Sequence, residues 1–278
     1  MTDRDQVAAL ADREWRLIRD DPRDGATQMA LEEIAAETAL RDDVRTVRVY
    51  SWEPSTLSMG YGQKSETVDW DYCEREGIGV TRRQTGGGGI YHDRHADISY
   101  TIVAPAAEVP GNLMDCYELF CQPVLEGFSR MGVDAEFADR EQESIYHPSC
   151  YLRDINPAHD VVVDGAKISG NAQYRQRDVV IQHGSLSYDL EPTRHLGVFS
   201  GHDLEESTFT DRVTSIRAEI GIDREEAVRA LEDALADWCD AEEGSWRDEE
   251  LEAAADLAER KFGADSWVRE REVLEASG

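Results

Sequence analysis

Four consecutive glycines, Gly86–Gly89, stand between two segments that read as strands, Val80–Arg83 and Ile98–Val103. Glycine loses more backbone entropy on ordering than any other residue, so an ordered run of four is costly. A plain loop would rarely use so many. Glycine also lets bare backbone amides approach an anion or an acyl group closely, as phosphate-cradling loops do. Arg82 and Arg83 precede the run and could meet a phosphate or carboxylate. The competing reading is a flexible hairpin loop with solvated arginines. No Gly-Lys-Ser/Thr follows, so the run is not a P-loop, and it does not match the dinucleotide fingerprint either.

The remaining pattern is mixed. Gly25–Leu40 reads as an amphipathic helix with Met29, Leu31, Ile34 and Ala35 as its apolar points, and Leu113–Met131 as another. Val44–Trp52 and Thr56–Tyr61 read as strands around Pro54. Asp160–Leu190 reads as a strand-rich hairpin region with a strong turn signal at Asp164-Gly165. Two helices close the chain, near Arg224–Cys239 and Arg247–Phe262. Strands in runs with partly helical crossovers predict an α+β fold, a mixed, mostly antiparallel sheet with flanking helices. The weakest joint falls at Glu242–Arg247, which divides a domain over residues 1–245 from a helical extension over 246–278. About thirty residues are too few for a separate core, so the extension is expected to pack on the main domain.

Charge narrows the function classes. There are 59 acidic against 29 basic residues, a formal net charge of −30, and only Lys64, Lys167 and Lys261 are lysines. Nucleic-acid binders carry basic patches, so DNA and RNA are not expected partners. A charge this large repels itself unless salt screens it, which suggests a salt-rich cytoplasm. The midpoint of thermal unfolding should therefore rise clearly from low to molar salt. A flat profile would contradict salt adaptation. No apolar run approaches the roughly 20 residues that span a bilayer, and the first twenty residues lack the pattern of a secretory signal. No membrane association is expected. Five scattered cysteines form no C-x-x-C pair, and the histidines show no metal-binding spacing, so neither disulfides nor a metal is expected.

Three further segments suggest chemistry. Lys167, in Asp164–Gln173, is one of three lysines in a chain that uses arginine elsewhere. It invites a role that needs a compact ammonium, against the alternative of a solvated lysine beside a turn. His183 lies in the apolar segment Val180–Leu186, where it could line a pocket or satisfy a core hydrogen bond. Cys150 sits on a loop between Pro148 and Pro157. A thiol beside a lysine ammonium is a better nucleophile, and an idle thiol is the alternative.

Together these segments resemble the biotin/lipoate attachment family, which comprises lipoate–protein ligases and octanoyltransferases. Arg82–Asp93 reproduces its R-R-x-[ST]-G-G-G-x-x-x-H-D signature. Gly165–Gln173 matches G-x-K-[IV]-x-G-[SN]-A-Q, and Gln182–Leu186 matches Q-H-G-[ST]-[IL]. Gln28–Glu33, Trp52–Tyr61 and Leu257–Trp267 resemble three further family segments in order, so the likeness spans nearly the whole chain. It implies protein lipoylation, the transfer of an octanoyl or lipoyl group to the acceptor lysine of a lipoyl domain. Such domains belong to 2-oxoacid dehydrogenase E2 subunits and the glycine cleavage H protein. The implied catalytic residues are Lys167, which contacts the acyl carbon, and Cys150, which carries an acyl-thioester. The implied substrate-binding residues are Arg83, Thr85, Gly86, Gly87, Gly88, His92, Gly170, Asn171, Ala172, His183 and Gly184.

The resemblance leaves two branches. An octanoyltransferase takes its acyl group from a donor protein and needs no tightly bound cofactor. A lipoate–protein ligase uses free lipoate, ATP and magnesium, often with an accessory domain for which this chain has no room. Cys150, seventeen residues before Lys167, favours the transferase, although a two-residue insertion at Asp154–Asn156 departs from the expected pattern. A cytoplasmic monomer is expected. The biotin-ligase loop G-R-G-R-x-G-R-x-W is not present.

Overall fold

The computed structural model describes residues 3–155, 159–176 and 178–272. Its strands are β1 (Trp15–Arg19), β2 (Arg45–Tyr50), β3 (Thr56–Met59), β4 (Gly79–Arg82), β5 (Ile90–His92), β6 (Asp97–Pro105), β7 (Glu136–Phe137), β8 (Val161–Val163), β9 (Ala166–Arg175), β10 (Val179–Ser187) and β11 (Glu242–Gly244). Eight form one sheet in the order β11-β1-β2-β6-β10-β9-β8-β7, and β4-β3-β5 form a second. In the large sheet only the β11–β1 and β1–β2 pairs are parallel. The mixed, mostly antiparallel sheet predicted from sequence is therefore the one observed.

Helices cover both faces of the large sheet. Asn112 caps Leu113–Met131 through its side chain, and Gly132 ends that helix in the left-handed region at φ 90°. It packs with Arg224–Cys239 over one face, where Val47, Ile98, Tyr100, Ile102 and Val180 point. Strand alternation sends Val103 and Ile181 to the other face, onto the helix Gly25–Arg41. Ser99, Thr101, His183 and Ser185 share that parity. They form a polar strip beneath this helix and the small sheet, and the site is built there.

Three sequence expectations need correction. β4 and β6 do not flank one glycine turn, because β5 intervenes and both β4 and β5 belong to the small sheet. The helix Gly25–Arg41 is buried on nearly all sides, Gln28 and Glu32 included, because sheet, small sheet and C-terminal helices surround it. Glu242–Gly244 is no joint, since it pairs with β1 at the sheet edge. Beyond it, Trp246, Leu257, Phe262 and Trp267 enter the same core as Met29 and Trp52. Arg16 forms a bidentate pair with the buried Glu250 at 2.7 and 2.8 Å. In the same segment the largely buried Lys261 pairs with Glu33.

Acid should weaken this fold. Burial first, and then the neighbouring His92, push His195 down to about 3. An unfolded chain takes that proton near pH 6.5, whereas the folded chain resists it. The contribution is present above about pH 6.5 and is lost as pH falls towards 3. It amounts to a few kcal/mol at about 1.4 kcal/mol per unit. Glu250, held down to about 2 against burial by Arg16 and a backbone amide, acts in the same direction below about pH 4.5. Denaturant unfolding from pH 7 to 4.5 should show falling stability, and His195→Phe should reduce that slope. An unchanged slope in the variant would refute the assignment to His195.

Candidate active site

The tight turn that the sequence signals at Asp164-Gly165 sets the first half of the site. Both residues have positive φ, 50° and 83°, as a two-residue hairpin turn requires. The turn pairs Val162 with Lys167. This brings Asp160, just before β8, beside the Lys167 ammonium, with Nζ 2.7 Å from Asp160 Oδ1. Nζ also donates to the Cys150 carbonyl at 3.1 Å and lies 3.7 Å from Cys150 Sγ. The ammonium is buried, with its side chain 3% exposed. Burial opposes its charge, but Cys150, Asp160 and Tyr151 together hold its pKa above the ordinary lysine value. Lys167 thus stands as a cation beside the free Cys150 and Asp160. Gly170 opposite makes room, since a Cβ there would stand 3.2 Å from Sγ and 3.4 Å from Lys167 Cε.

Cys150 opens a short 3-10 turn and is partly exposed, whereas the other four cysteines are buried. Burial pushes Cys73 and Cys121 up to about 12, which leaves those thiols inert at neutral pH. The Cys150 loop is seated on the glycine loop. Gly89 N donates to Pro148 O at 2.7 Å and Cys150 N to Gly89 O at 2.9 Å. A Cβ on Gly88 would lie 2.7 Å from Pro148 O and 2.8 Å from Cys150 N. The glycines therefore permit close approach of two loops, as well as exposing Gly86 and Gly87 at the cavity. Gly88→Ala should push the cysteine loop away, lowering acyl transfer roughly tenfold or more while costing about 1–3 kcal/mol of stability. Turnover beside a thermal melt checks this, and unchanged turnover would refute the seating role.

The two arginines of the signature divide. Arg82 is fully buried and spends its donors on the carbonyls of Val268, Gly60, Tyr61 and Gln63. It clamps the C-terminal segment to the loop and is not placed to meet a phosphate or carboxylate, contrary to the sequence expectation. Arg83 lines the cavity and donates to Ser58 O, Gly86 O and Gly88 O, at 2.7, 2.8 and 2.6 Å. It holds the loop's shape.

Thr85 lies behind the wall. Its hydroxyl accepts from Arg83 Nε at 2.9 Å and meets His183 Nε2 at 2.8 Å. His183 Nδ1 stands 2.9 and 3.0 Å from the two oxygens of Glu32. The Glu32 carboxylate can only accept, so Nδ1 of the neutral ring carries the proton toward it and Nε2 accepts from the Thr85 hydroxyl. Burial opposes the charge on Glu32, but His183, Arg48 and Thr101 outweigh it and hold its pKa below the usual carboxylate range. His183 is thus an orienting link between the helix Gly25–Arg41 and the glycine loop. His92 stacks on Trp52 at 4.2 Å and meets Ser58 Oγ at 2.8 Å, with burial pushing its pKa down. Asn171 accepts from Tyr100 OH at 2.6 Å, and a Cβ on Gly184 would collide with both groups.

Of the residues named from sequence, all except Arg82 and Thr85 surround one cavity of about 240 Å³. Glu32, Asp160, Trp52 and the Ser99–Asp97 pair were not foreseen. Two signals could have found the first two, a carboxylate among the apolar points of a helix and the residue that a hairpin places beside Lys167. Among the described residues, no His/Cys/Asp/Glu group could hold a metal, and no helix is long and apolar enough to cross a membrane.

The Lipoyl protein ligase A/B catalytic domain matches residues 24–236. The chain belongs to this family. Among lipoyl protein ligase A/B relatives it is similar to octanoyltransferase LipM of Kyrpidia tusciae, at 33% identity covering 91% of this chain and 97% of that one. Octanoyltransferase LipM of Bacillus subtilis is 29% identical, covering 92% and 98%. The fold is shared with lipoate-protein ligase A bound with ATP, at a TM-score of 0.78 and 20% identity, covering 93% of this chain and all of that one. A bi-partite lipoate protein ligase from Thermoplasma acidophilum also shares it, at a TM-score of 0.78 and 20% identity, covering 95% and 99%.

Proposed function

We propose that this chain, an acyltransferase of protein lipoylation, moves an octanoyl group through a thioester on Cys150. The observation that carries the reading is the partly exposed Cys150 sulfur at the cavity wall, 3.7 Å from the buried Lys167 ammonium. A thiolate there attacks the octanoyl carbon of a donor thioester and expels the donor thiol. The Lys167 charge faces both the sulfur and the oxygen on which negative charge develops, and it is preorganised by Asp160. The acceptor amine of a lipoyl domain, on an E2 subunit or H protein, then takes the acyl group and returns Cys150 to the thiolate. The reading takes the enzyme as a cytoplasmic monomer without a tightly bound cofactor. ATP and magnesium belong only to the ligase alternative. Two assays with a lipoyl domain separate these, one with octanoylated carrier protein and no ATP, the other with lipoate, ATP and magnesium. Transfer in the first alone is expected, and transfer in the second alone would overturn the proposal.

A further inference from the structure

Arg82 carries its charge into the interior without a carboxylate partner among the described residues. Burial, with Arg271 adding to it, pushes its pKa down to about 10. An apolar side chain of that size would fill the space at less cost. What the guanidinium adds is a rigid planar fork that fixes several acceptors at once. Those acceptors lie on two segments. Val268 O belongs to the short turn Asp265–Val268, whereas Gly60 O, Tyr61 O and Gln63 O belong to the loop after β3. Two more bonds tie the C-terminal segment to β4. Trp267 Nε1 donates to Arg82 O at 2.8 Å, and Thr81 Oγ to Phe262 O at 2.8 Å. This segment lies beyond residues 24–236, which the family's catalytic domain matches. The loop over residues 60–63 in turn backs the glycine loop. Tyr61 N donates to Thr85 O at 2.8 Å. A Cβ on Gly60 would lie 2.0 Å from Gly87 O, and one on Gly89 would lie 3.0 Å from Gln63 Oε1. Contacts this close leave no slack between the two loops.

We infer that the C-terminal segment is a positioning part of the catalytic centre, acting through Arg82 and residues 60–63 on the glycine loop that seats Cys150. The inference rests on the Cys150 thioester reading for the step it acts on. Neither Arg82 nor Trp267 lines the cavity, so neither touches the reacting atoms. Their effect is geometric. Val268 and Trp267 fix Arg82, Arg82 fixes residues 60–63, and these set where Gly86 and Gly87 face the cavity. Gly89 carries the same placement to the cysteine loop, because its carbonyl accepts from Cys150 N. A displacement of about 1 Å at a reacting centre, caused from a distance, costs about 10²-fold in rate.

Two variants outside the cavity test this. Trp267→Phe keeps an aromatic ring and removes the indole N–H, and Arg82→Lys keeps the charge but loses the fork. With octanoylated carrier protein, both should load octanoate onto Cys150 about tenfold more slowly or worse, in the rate at saturation rather than in KM. Alkylation by iodoacetamide should change much less and stay at one thiol per chain. A small reagent needs the thiolate and not an aligned acyl group, and the other four cysteines are buried. Where Arg82→Lys fails to fold, several thiols react, and Trp267→Phe decides. Wild-type loading by Trp267→Phe would overturn the inference. So would a loss of loading matched by the change in alkylation, or joined by reaction of the buried cysteines, which would make the segment a general support of the fold. If the wild type itself forms no thioester, the Cys150 reading fails. The same loss is then expected in overall transfer to a lipoyl domain, and unchanged transfer would overturn the inference.

Discussion

Lys167→Ala should abolish transfer to a lipoyl domain, by about 10³-fold or more in kcat/KM. The side chain places a cation 3.7 Å from the Cys150 sulfur, and no other lysine lies near, since Lys64 is solvated and Lys261 pairs with Glu33. A preorganised charge in a dry site contributes a large share of a barrier reduction. Lys167→Arg should fail as well. Its planar, bulkier head must fit where Gly170 already leaves only room for a compact ammonium. Burial beside Asp160 makes Lys167 part of the fold as well. Removing one partner of a buried pair costs about 3–5 kcal/mol. Lys167→Ala together with Asp160→Asn should recover part of that stability and none of the activity. Kinetics and denaturant melts of the three variants check this. Near-normal transfer by Lys167→Arg would overturn the role.

The site was legible in sequence where the chemistry demands rare residues. Lysine in an arginine-rich chain, a glycine run and a cysteine between prolines all stand out, and the cavity gathers Lys167, Gly86–Gly88 and Cys150. The fold was legible where periodicity is strong, as in Leu113–Met131 and Arg224–Cys239, whose limits match the observed helices. Short elements escaped. β5 has three residues and β11 has three, too few for a period to show. β1, Trp15–Arg19, escaped because its two arginines are buried in ion pairs or spread over the sheet edge, so apolar alternation is masked. Arg82 misled for a related reason. A buried arginine that feeds main-chain carbonyls has the same letter as one that grips an anion, and only the fold tells them apart.

The second large effect concerns Cys150. Cys150→Ala and Cys150→Ser should both lose octanoyl transfer, by about 10³-fold or more. A thiolate attacks a thioester readily, and a neutral serine hydroxyl without its own base does not. Both variants should fold, because the side chain is only partly buried and its loop is held by backbone contacts to Gly89 rather than by the sulfur. A ligase acting through an acyl-adenylate needs no protein nucleophile, so it would tolerate either change with lipoate, ATP and magnesium.

Intact-mass analysis after incubation with octanoylated carrier protein, and without acceptor, tests the central claim most directly. The wild type should gain the mass of one octanoyl group, labile to hydroxylamine and lost on addition of a lipoyl domain, and Cys150→Ala should gain nothing. An unmodified wild type that still transfers octanoate, or a Cys150→Ala variant with full activity, would contradict the account.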